Sequence, residues 1–187
     1  MPTGVGVGGP IGVGGVNPTY VQGNDYHPPT WVGPGEDFVN KVYEALIANT
    51  NAWARTLLII TFDEHGGTYD HVDPGWGAVQ PDNYQGANGF LFNRYGVRVP
   101  TLLVSPWIPA GTVFRAATGS AHPFDHTSLI ATILKWKRVD PKQAGLGERV
   151  ASAPTFEDAL GDEPRSDIPT FVVPDGYADQ GGGAGVP

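Results

Sequence analysis

The fold is predicted from one stretch, Thr56-Leu-Leu-Ile-Ile-Thr-Phe-Asp-Glu-His-Gly-Gly-Thr-Tyr-Asp-His71, in which an apolar run is followed directly by five ionisable side chains. The run over residues 56–62 is short, contains β-branched residues and is apolar on both faces. This is typical of a strand buried between two layers of helix. The ionisable residues follow within nine positions. Because α/β folds place their ligands at strand ends, this stretch predicts an α/β fold with a functional site in the loop after the strand.

The rest of the chain supplies the other elements of an α/β order. Apolar residues spaced by three and four predict a helix over about 36–49. Residues 97–105 are typical of a second strand, which Pro100 places toward an edge or a bulge. A further helix is predicted over 124–136, with Asp125 as its N-cap.

Between the two strands, residues 73–96 are rich in Gly, Asn and aromatic residues and show no periodicity. Long irregular segments inside compact domains are usually functional or mobile. Two interpretations remain open at this point. The segment forms a wall or lid over a pocket, or its aromatic side chains pack down on the edge of the domain.

Composition bounds the class of protein. The chain has 187 residues, a formal net charge of −8 and no cysteine, so we expect one domain and neither disulfides nor thiolate metal sites. The acidic balance argues against a nucleic-acid partner. No apolar run approaches the roughly 18 residues of a membrane span, and no signal peptide is visible, which leaves the compartment open. We expect residues 1–19 to be a flexible Gly-rich segment, 20–173 to be the domain and 174–187 to be a disordered tail.

Asp63 and Glu64 are the candidate metal ligands. Adjacent carboxylates repel each other, and each raises the pKa of the other unless a cation or hydrogen-bond donors lie between them. A divalent metal ion resolves that conflict with the oxygen ligands it prefers. The structural alternative is that one carboxylate caps a helix or pairs with an arginine.

The histidines favour a functional site over core packing. All of them fall in predicted loops or at element ends: His27, His65, His71, His122 and His126. Neutral imidazole can bind a metal, and imidazolium can hold an anionic substrate. Gly66 and Gly67 permit close approach of the backbone to a ligand, and the Asp70 carboxylate can orient the His71 imidazole. Other site types fit poorly, since the chain has neither a Gly-x-Ser-x-Gly elbow nor a phosphate-binding Gly-x-x-x-x-Gly-Lys loop.

Five segments together resemble the bacterial and fungal phospholipase C/acid phosphatase family of phosphoesterases, over roughly residues 20–165 and in the family's order. They are Thr61-Phe-Asp-Glu-His-Gly-Gly-Thr-Tyr-Asp-His-Val72, Tyr26-His-Pro-Pro29, Gly35-Glu-Asp-Phe38, Tyr95-Gly-Val-Arg-Val-Pro-Thr-Leu-Leu-Val-Ser-Pro106 and Phe124-Asp-His-Thr-Ser-Leu-Ile130. This resemblance implies an alkaline-phosphatase-like fold, with a mostly parallel or mixed sheet between helical layers. It also allows a secreted or cell-envelope location.

The resemblance implies hydrolysis of a small-molecule or lipid phosphate ester at a divalent metal ion. Asp63 and Glu64 match the family's acidic metal-binding pair. His65 and His71 match motif histidines near the phosphate, and His126 matches a histidine before the late helix. We expect these three histidines to be the catalytic residues. We expect the substrate-binding residues to be His27, Gly66, Gly67 and Asp70.

The chain departs from the family at its beginning. Family members carry a Glu-Asn metal-binding segment and a Ser or Thr nucleophile upstream, and residues 1–25 resemble neither. We therefore expect the C-terminal part of a truncated fold, either a minimal version of the enzyme or a fragment of it. The expected partner is a homo-oligomer or a missing N-terminal half. Two alternatives to a phosphoesterase remain: a non-catalytic metal- or phosphate-binding remnant of the fold, and an esterase that acts on carboxylic esters.

Overall fold

The computed structural model describes residues 23–30, 32–117 and 122–171, so the predicted flexible start and disordered tail lie outside the described residues. The described residues belong to two compact units. The first contains residues from 23–56, together with Gly66–Thr68 and 167–171. The second contains Leu57–His65 and residues from Tyr69–Ser166.

The first unit is helical. Helix α1 spans Gly33–Ile47 and helix α2 spans Thr50–Trp53. Helix α1 begins earlier than the predicted 36 because a proline occupies its first turn, where no backbone N–H is needed. Tyr43 and Trp53 are buried with their rings edge-to-face at 5.5 Å. The Tyr43 hydroxyl donates a hydrogen bond of 2.7 Å to the carbonyl oxygen of Pro169, which attaches the later chain to this helical pair.

The second unit contains a two-stranded ribbon. Strand β1 spans Leu58–Thr61, strand β2 spans Thr101–Val104, and they pair antiparallel with Leu58 opposite Val104. The combination of helices and strands agrees with the predicted class. The mostly parallel or mixed sheet is not found among the described residues, whose two strands are antiparallel. Strand β1 is half-buried along its length rather than buried on both faces.

Two helices complete the second unit. Helix α3 spans His126–Trp136, as the sequence predicted to within two residues, and helix α4 spans Glu148–Ser152. Short 3₁₀ turns occur at Ala87–Gly89 and Glu157–Ala159. The Phe124 ring lies between Phe114 and Phe156, with centroids 5.1 and 4.9 Å away. No helix in the described part of the chain has both the length and the apolar character needed to cross a bilayer.

The predicted N-cap of helix α3 is present and is reinforced. The Asp125 carboxylate accepts a hydrogen bond from the Thr127 backbone N–H at 2.7 Å, and the Ser128 hydroxyl accepts one from the Asp125 N–H at 3.2 Å. This reciprocal pair is a capping box. It fixes the orientation of the first turn of the helix, and therefore the position of His126.

The irregular segment 73–96 is attached to the second unit by backbone hydrogen bonds. Its two ends meet at a bridge between Trp76 and Arg94, and the Pro81 carbonyl accepts a hydrogen bond of 2.8 Å from the Glu148 N–H. The Trp76 side chain nevertheless remains 71% exposed. The segment is thus anchored along its path without burying its largest aromatic side chain.

Gly147 is required where helix α4 meets this segment, and we expect Gly147→Ala to destabilise the protein more than Gly145→Ala. Both glycines have positive φ, +88° and +69°. A Cβ at Gly147 would lie 2.6 Å from the Pro81 carbonyl oxygen, whereas a Cβ at Gly145 meets nothing within 4 Å. The additional clash should cost about 1–3 kcal/mol beyond the backbone strain that the two substitutions share. Urea denaturation of both variants measures the difference, and equal midpoints would contradict the packing described.

Candidate active site

The site is built where the end of strand β1 and the start of strand β2 meet. The last paired residues are Thr61 and Thr101, whose hydroxyls are 2.7 Å apart. The antiparallel register carries the residues after β1 and those before β2 to the same end of the ribbon. Asp63 and Glu64 follow β1 directly, and the Asp63 carboxylate accepts a hydrogen bond of 3.0 Å from the Glu64 N–H. The two predicted metal ligands therefore stand at this end, and both are exposed.

Helix α3 reaches the same point through its first residue. The His126 Nε2 atom lies 2.7 Å from the carbonyl oxygen of Phe62, the residue before Asp63. A carbonyl oxygen can only accept, so Nε2 carries the hydrogen and donates it. This hydrogen bond fixes the tautomer of the neutral ring and leaves Nδ1 as the basic nitrogen. His126 thus contacts the residue that precedes the acidic pair, although it lies more than 60 positions after that pair in the sequence.

An open cleft in the second unit, with a volume of about 1310 Å³, passes these residues. Four of the predicted site residues line it: Asp63, Glu64, His65 and His126. The Asp70 and His71 side chains are not among its lining. The segment 73–96 contributes only residues near its two ends, and its exposed middle does not form a wall of this cleft.

Three predicted substrate-binding residues belong to the first unit: His27, Gly66 and Gly67. The His27 ring is exposed and its Nδ1 donates a hydrogen bond of 2.7 Å to the carbonyl oxygen of Pro28. Gly66 and Gly67 have φ values of +64° and +74°. This left-handed turn explains the glycine pair on backbone grounds alone. Their substrate-binding role stays a prediction.

Asp70 contacts a residue that the sequence analysis had given no role. Its carboxylate accepts two hydrogen bonds from Arg98, from Nε at 2.7 Å and from an Nη atom at 2.8 Å. These bonds from the guanidinium hold the pKa of Asp70 well below its usual range. His71 lies further away, with Nδ1 3.5 Å from Asp70, and its side chain is 81% exposed. The expected orientation of His71 by Asp70 is therefore the weaker of the two contacts.

A second polar cluster lines the same cleft. Arg149 Nε donates to the Asp125 carboxylate at 2.9 Å, and the Arg149 guanidinium lies 5.2 Å from the Tyr95 ring centroid. The Tyr95 hydroxyl is 3.5 Å from His122 Nδ1. Burial and the nearby Asp125 charge raise the pKa of Tyr95. The cluster gives this region of the cleft both a charged and an aromatic surface.

Sequence reasoning missed the cationic lining of the cleft. Three arginines contribute to it, Arg98, Arg115 and Arg149, in a chain with a formal charge of −8. Arg98 could have been found, because it precedes β2 by three residues and an antiparallel pairing brings it near Glu64. Arg115 and Arg149 had no such signal, since their placement depends on how the loops and helix α4 pack.

The residues present do not by themselves complete a metal site. Asp63 and Glu64 supply oxygen donors of the kind that hard divalent ions take. Within the described ranges, however, no three His, Asp or Glu side chains form a group able to hold a metal ion. The acidic pair is thus at most a partial ligand set.

Comparison with known proteins identifies the family of this chain. Residues 13–139 match the model of the Phosphoesterase family. The chain is 46% identical over 153 residues to non-specific phospholipase C6 and 44% identical over the same length to non-specific phospholipase C1, both from Arabidopsis thaliana. It is also 38% identical over 115 residues to hemolytic phospholipase C from Pseudomonas aeruginosa.

These matches cover different shares of each protein. The two plant alignments cover 78% of this chain, and the bacterial one covers 56%. In the other direction, the chain spans 29%, 28% and 15% of the respective relatives. The family model alone matches more than half of the chain, and the resemblance inferred from the sequence is confirmed: the chain belongs to the phosphoesterase family.

Proposed function

We propose that the chain carries part of the active site of a phosphoester hydrolase and that its substrate is a phospholipid-type phosphate ester. The observation that supports this most is the hydrogen bond between His126 and the Phe62 carbonyl, since it joins the acidic motif to a proton-carrying imidazole at one cleft. The relatives named phospholipase C support the substrate class.

We propose that His126 acts as a general acid or base. With Nε2 occupied by a backbone carbonyl, Nδ1 is the nitrogen that takes up or releases a proton. The Asp125 cap orders the first turn of helix α3, to which His126 belongs. His65 lines the same cleft and could hold phosphoryl oxygens when it is protonated. His71 retains only a proposed catalytic role, because its exposed ring does not line the cleft.

A larger sheet is part of the proposal. An isolated two-stranded ribbon is marginally stable, and Leu102 on β2 is 59% exposed. Both facts favour further strands beside β1 and β2 in an alkaline-phosphatase-like sheet. The chain spans less than a third of the plant relatives, which leaves room for those strands elsewhere in such proteins.

A divalent metal is also part of the proposal, with Asp63 and Glu64 as two ligands of a site completed outside the described residues. When bound, a metal ion would stabilise negative charge on phosphoryl oxygens. We expect Asp63→Asn to abolish binding of Mg²⁺, Mn²⁺, Ca²⁺ or Zn²⁺ and to leave the circular dichroism spectrum unchanged. Asp73→Asn, which removes another carboxylate of the cleft lining, is the matched control. Isothermal titration calorimetry measures both, and unchanged metal affinity in Asp63→Asn would contradict the ligand assignment.

The hydrolytic activity is tested with three chromogenic esters. These are p-nitrophenyl phosphate, p-nitrophenyl phosphorylcholine and p-nitrophenyl butyrate, each assayed with the four metals supplied separately and with a chelator. We expect hydrolysis of the phosphate esters and not of the butyrate. If no phosphate ester is cleaved with any metal, the proposal that this chain hydrolyses phosphoesters is wrong. Binding of phosphate without turnover would favour the non-catalytic remnant instead, and cleavage of the butyrate alone would favour the carboxylic esterase.

A further inference from the structure

Arg98 is an exposed cation in the lining of the cleft. Its side chain is 59% exposed, whereas the Asp70 carboxylate that it contacts is only 13% exposed. The guanidinium therefore covers the carboxylate and presents its remaining N–H groups away from it. Arg98 lines the cleft and Asp70 does not, so only the arginine of this ion pair faces the cleft.

The ion pair fixes the direction of the guanidinium. Asp70 accepts from Nε and from one Nη atom of Arg98, which orients the planar group through two parallel hydrogen bonds. The same carboxylate also accepts a hydrogen bond of 3.1 Å from the Val72 N–H. Because Asp70 is itself held by the backbone, the whole arrangement is ordered before any ligand arrives. A preorganised guanidinium loses less conformational entropy when it binds an anion than a freely rotating one does.

The register of the ribbon places Arg98 beside the acidic motif. Thr61 pairs with Thr101, and the Thr61 hydroxyl donates a hydrogen bond of 3.3 Å to the Pro100 carbonyl. Arg98 is two residues before Pro100, just as Glu64 is two residues after Phe62. An anion bound at Arg98 would therefore lie at the same end of the ribbon as Asp63, Glu64 and His126.

We infer that Arg98 binds a phosphate oxygen of the substrate and that Asp70 is a positioning residue that orients Arg98. This inference depends on the proposed function, because it assigns the anionic part of the same substrate. It also changes the role predicted for Asp70, which acts through Arg98 rather than through direct contact with the substrate. The ligand class is a phosphate monoester or diester, for which a planar guanidinium offers paired N–H donors.

Two roles of Asp70, a purely electrostatic one and the positioning of Arg98, predict opposite changes in anion affinity for Asp70→Asn. Removal of a negative charge next to the site should tighten anion binding if electrostatic attraction is all that matters. If Asp70 orients Arg98, the neutral amide of asparagine cannot accept both hydrogen bonds from the guanidinium. The guanidinium then loses its fixed orientation, and anion binding should weaken. The sign of the change therefore separates the two roles.

The test measures binding of inorganic phosphate to the full chain by NMR titration in Mg²⁺-containing buffer, with choline chloride as a second probe. We expect Arg98→Ala to weaken phosphate binding by about tenfold or more, because a charge-assisted hydrogen bond is lost. Arg98→Lys should weaken phosphate binding less, since the positive charge remains and only the paired N–H donors of the guanidinium are lost. Asp70→Asn should weaken it several-fold, and choline should show no dependence on either residue.

Arg94→Ala is the matched control. It removes the same charge four residues away, but Arg94 stacks at 4.8 Å from the Trp76 ring and does not line the cleft. Phosphate affinity should not change in this variant. Thermal unfolding of every variant is recorded as well, because a merely structural ion pair would lower the melting temperature and leave the phosphate dissociation constant unchanged.

Three outcomes would overturn the inference. They are no phosphate binding by the unmodified chain, unchanged affinity in Arg98→Ala, and tighter binding in Asp70→Asn. Its failure is distinguishable from failure of the proposed function. Hydrolysis of p-nitrophenyl phosphate with an Arg98-independent KM refutes the site and keeps the function. Arg98-dependent phosphate binding without any hydrolysis keeps the site and refutes the function for this chain.

Discussion

Replacement of His126 by alanine should lower phosphoester turnover by about two to four orders of magnitude, the usual contribution of a positioned general acid or base. The physical reason is the hydrogen bond from Nε2 to the Phe62 carbonyl. It leaves Nδ1, beside the acidic motif, as the nitrogen that accepts and releases a proton. The measurement is kcat for p-nitrophenyl phosphorylcholine under the metal condition that gives the highest activity.

His126→Gln separates proton transfer from anchoring. A glutamine amide can replace Nε2–H as the donor to the Phe62 carbonyl, but it cannot titrate. We therefore expect His126→Gln to fold normally and to lose about as much kcat as His126→Ala. Wild-type activity in His126→Gln would show that the side chain only anchors helix α3 to the end of strand β1, and the assignment of His126 as acid or base would be wrong.

Substitution of Asp125 should have the largest effect on stability. Its carboxylate accepts hydrogen bonds from the Thr127 N–H and hydroxyl, at 2.7 and 2.5 Å, and from Arg149 Nε at 2.9 Å. The Asp125 and Arg149 side chains are only 17% and 21% exposed. Asp125→Ala removes a helix cap and leaves a largely buried cation unpaired, so we expect a loss of about 2–4 kcal/mol in the free energy of unfolding.

Asp125→Asn is the control for this prediction. Asparagine caps helices about as well as aspartate but carries no charge. Its cost should therefore be smaller than that of alanine and should reflect the ion pair with Arg149. Urea denaturation monitored by circular dichroism measures both variants. A loss below about 0.5 kcal/mol in Asp125→Ala, the range typical of surface substitutions, would contradict the role of this carboxylate in holding helices α3 and α4.

Local patterns in the sequence predicted the elements around the site well. The predicted helix over 124–136 and its Asp125 cap are confirmed by helix α3, because a cap and an apolar stripe are local signals. The strand over 56–62 is confirmed in a shorter form. Its burial was not predicted correctly, since burial depends on what packs against a strand. The apolar composition of β1 predicts burial on both faces, and the described residues leave it half-buried.

The lining of the cleft was predictable where consecutive residues form it and unpredictable where distant segments meet. Asp63, Glu64 and His65 come from one motif, and all three line the cleft. His126 was expected from the resemblance, and its contact with the Phe62 carbonyl brings it to the residue before Asp63. Arg98 lies in a segment that resembles the family, but the sequence indicates no role for it because its partner Asp70 lies 28 positions earlier. Only the folded chain shows that Asp70 contacts an arginine more closely than the adjacent His71.

The central claim is that the cleft between the end of strand β1 and the start of helix α3 binds the phosphate group of the substrate. The most direct measurement is a ¹H–¹⁵N NMR titration of the full chain with phosphocholine. We expect saturable shifts concentrated at the backbone amides of Asp63, Glu64, Arg98 and His126, and weak or no shifts at Arg94 and Trp76. Shifts confined to residues that do not line the cleft, or no saturable shifts at all, would contradict the account.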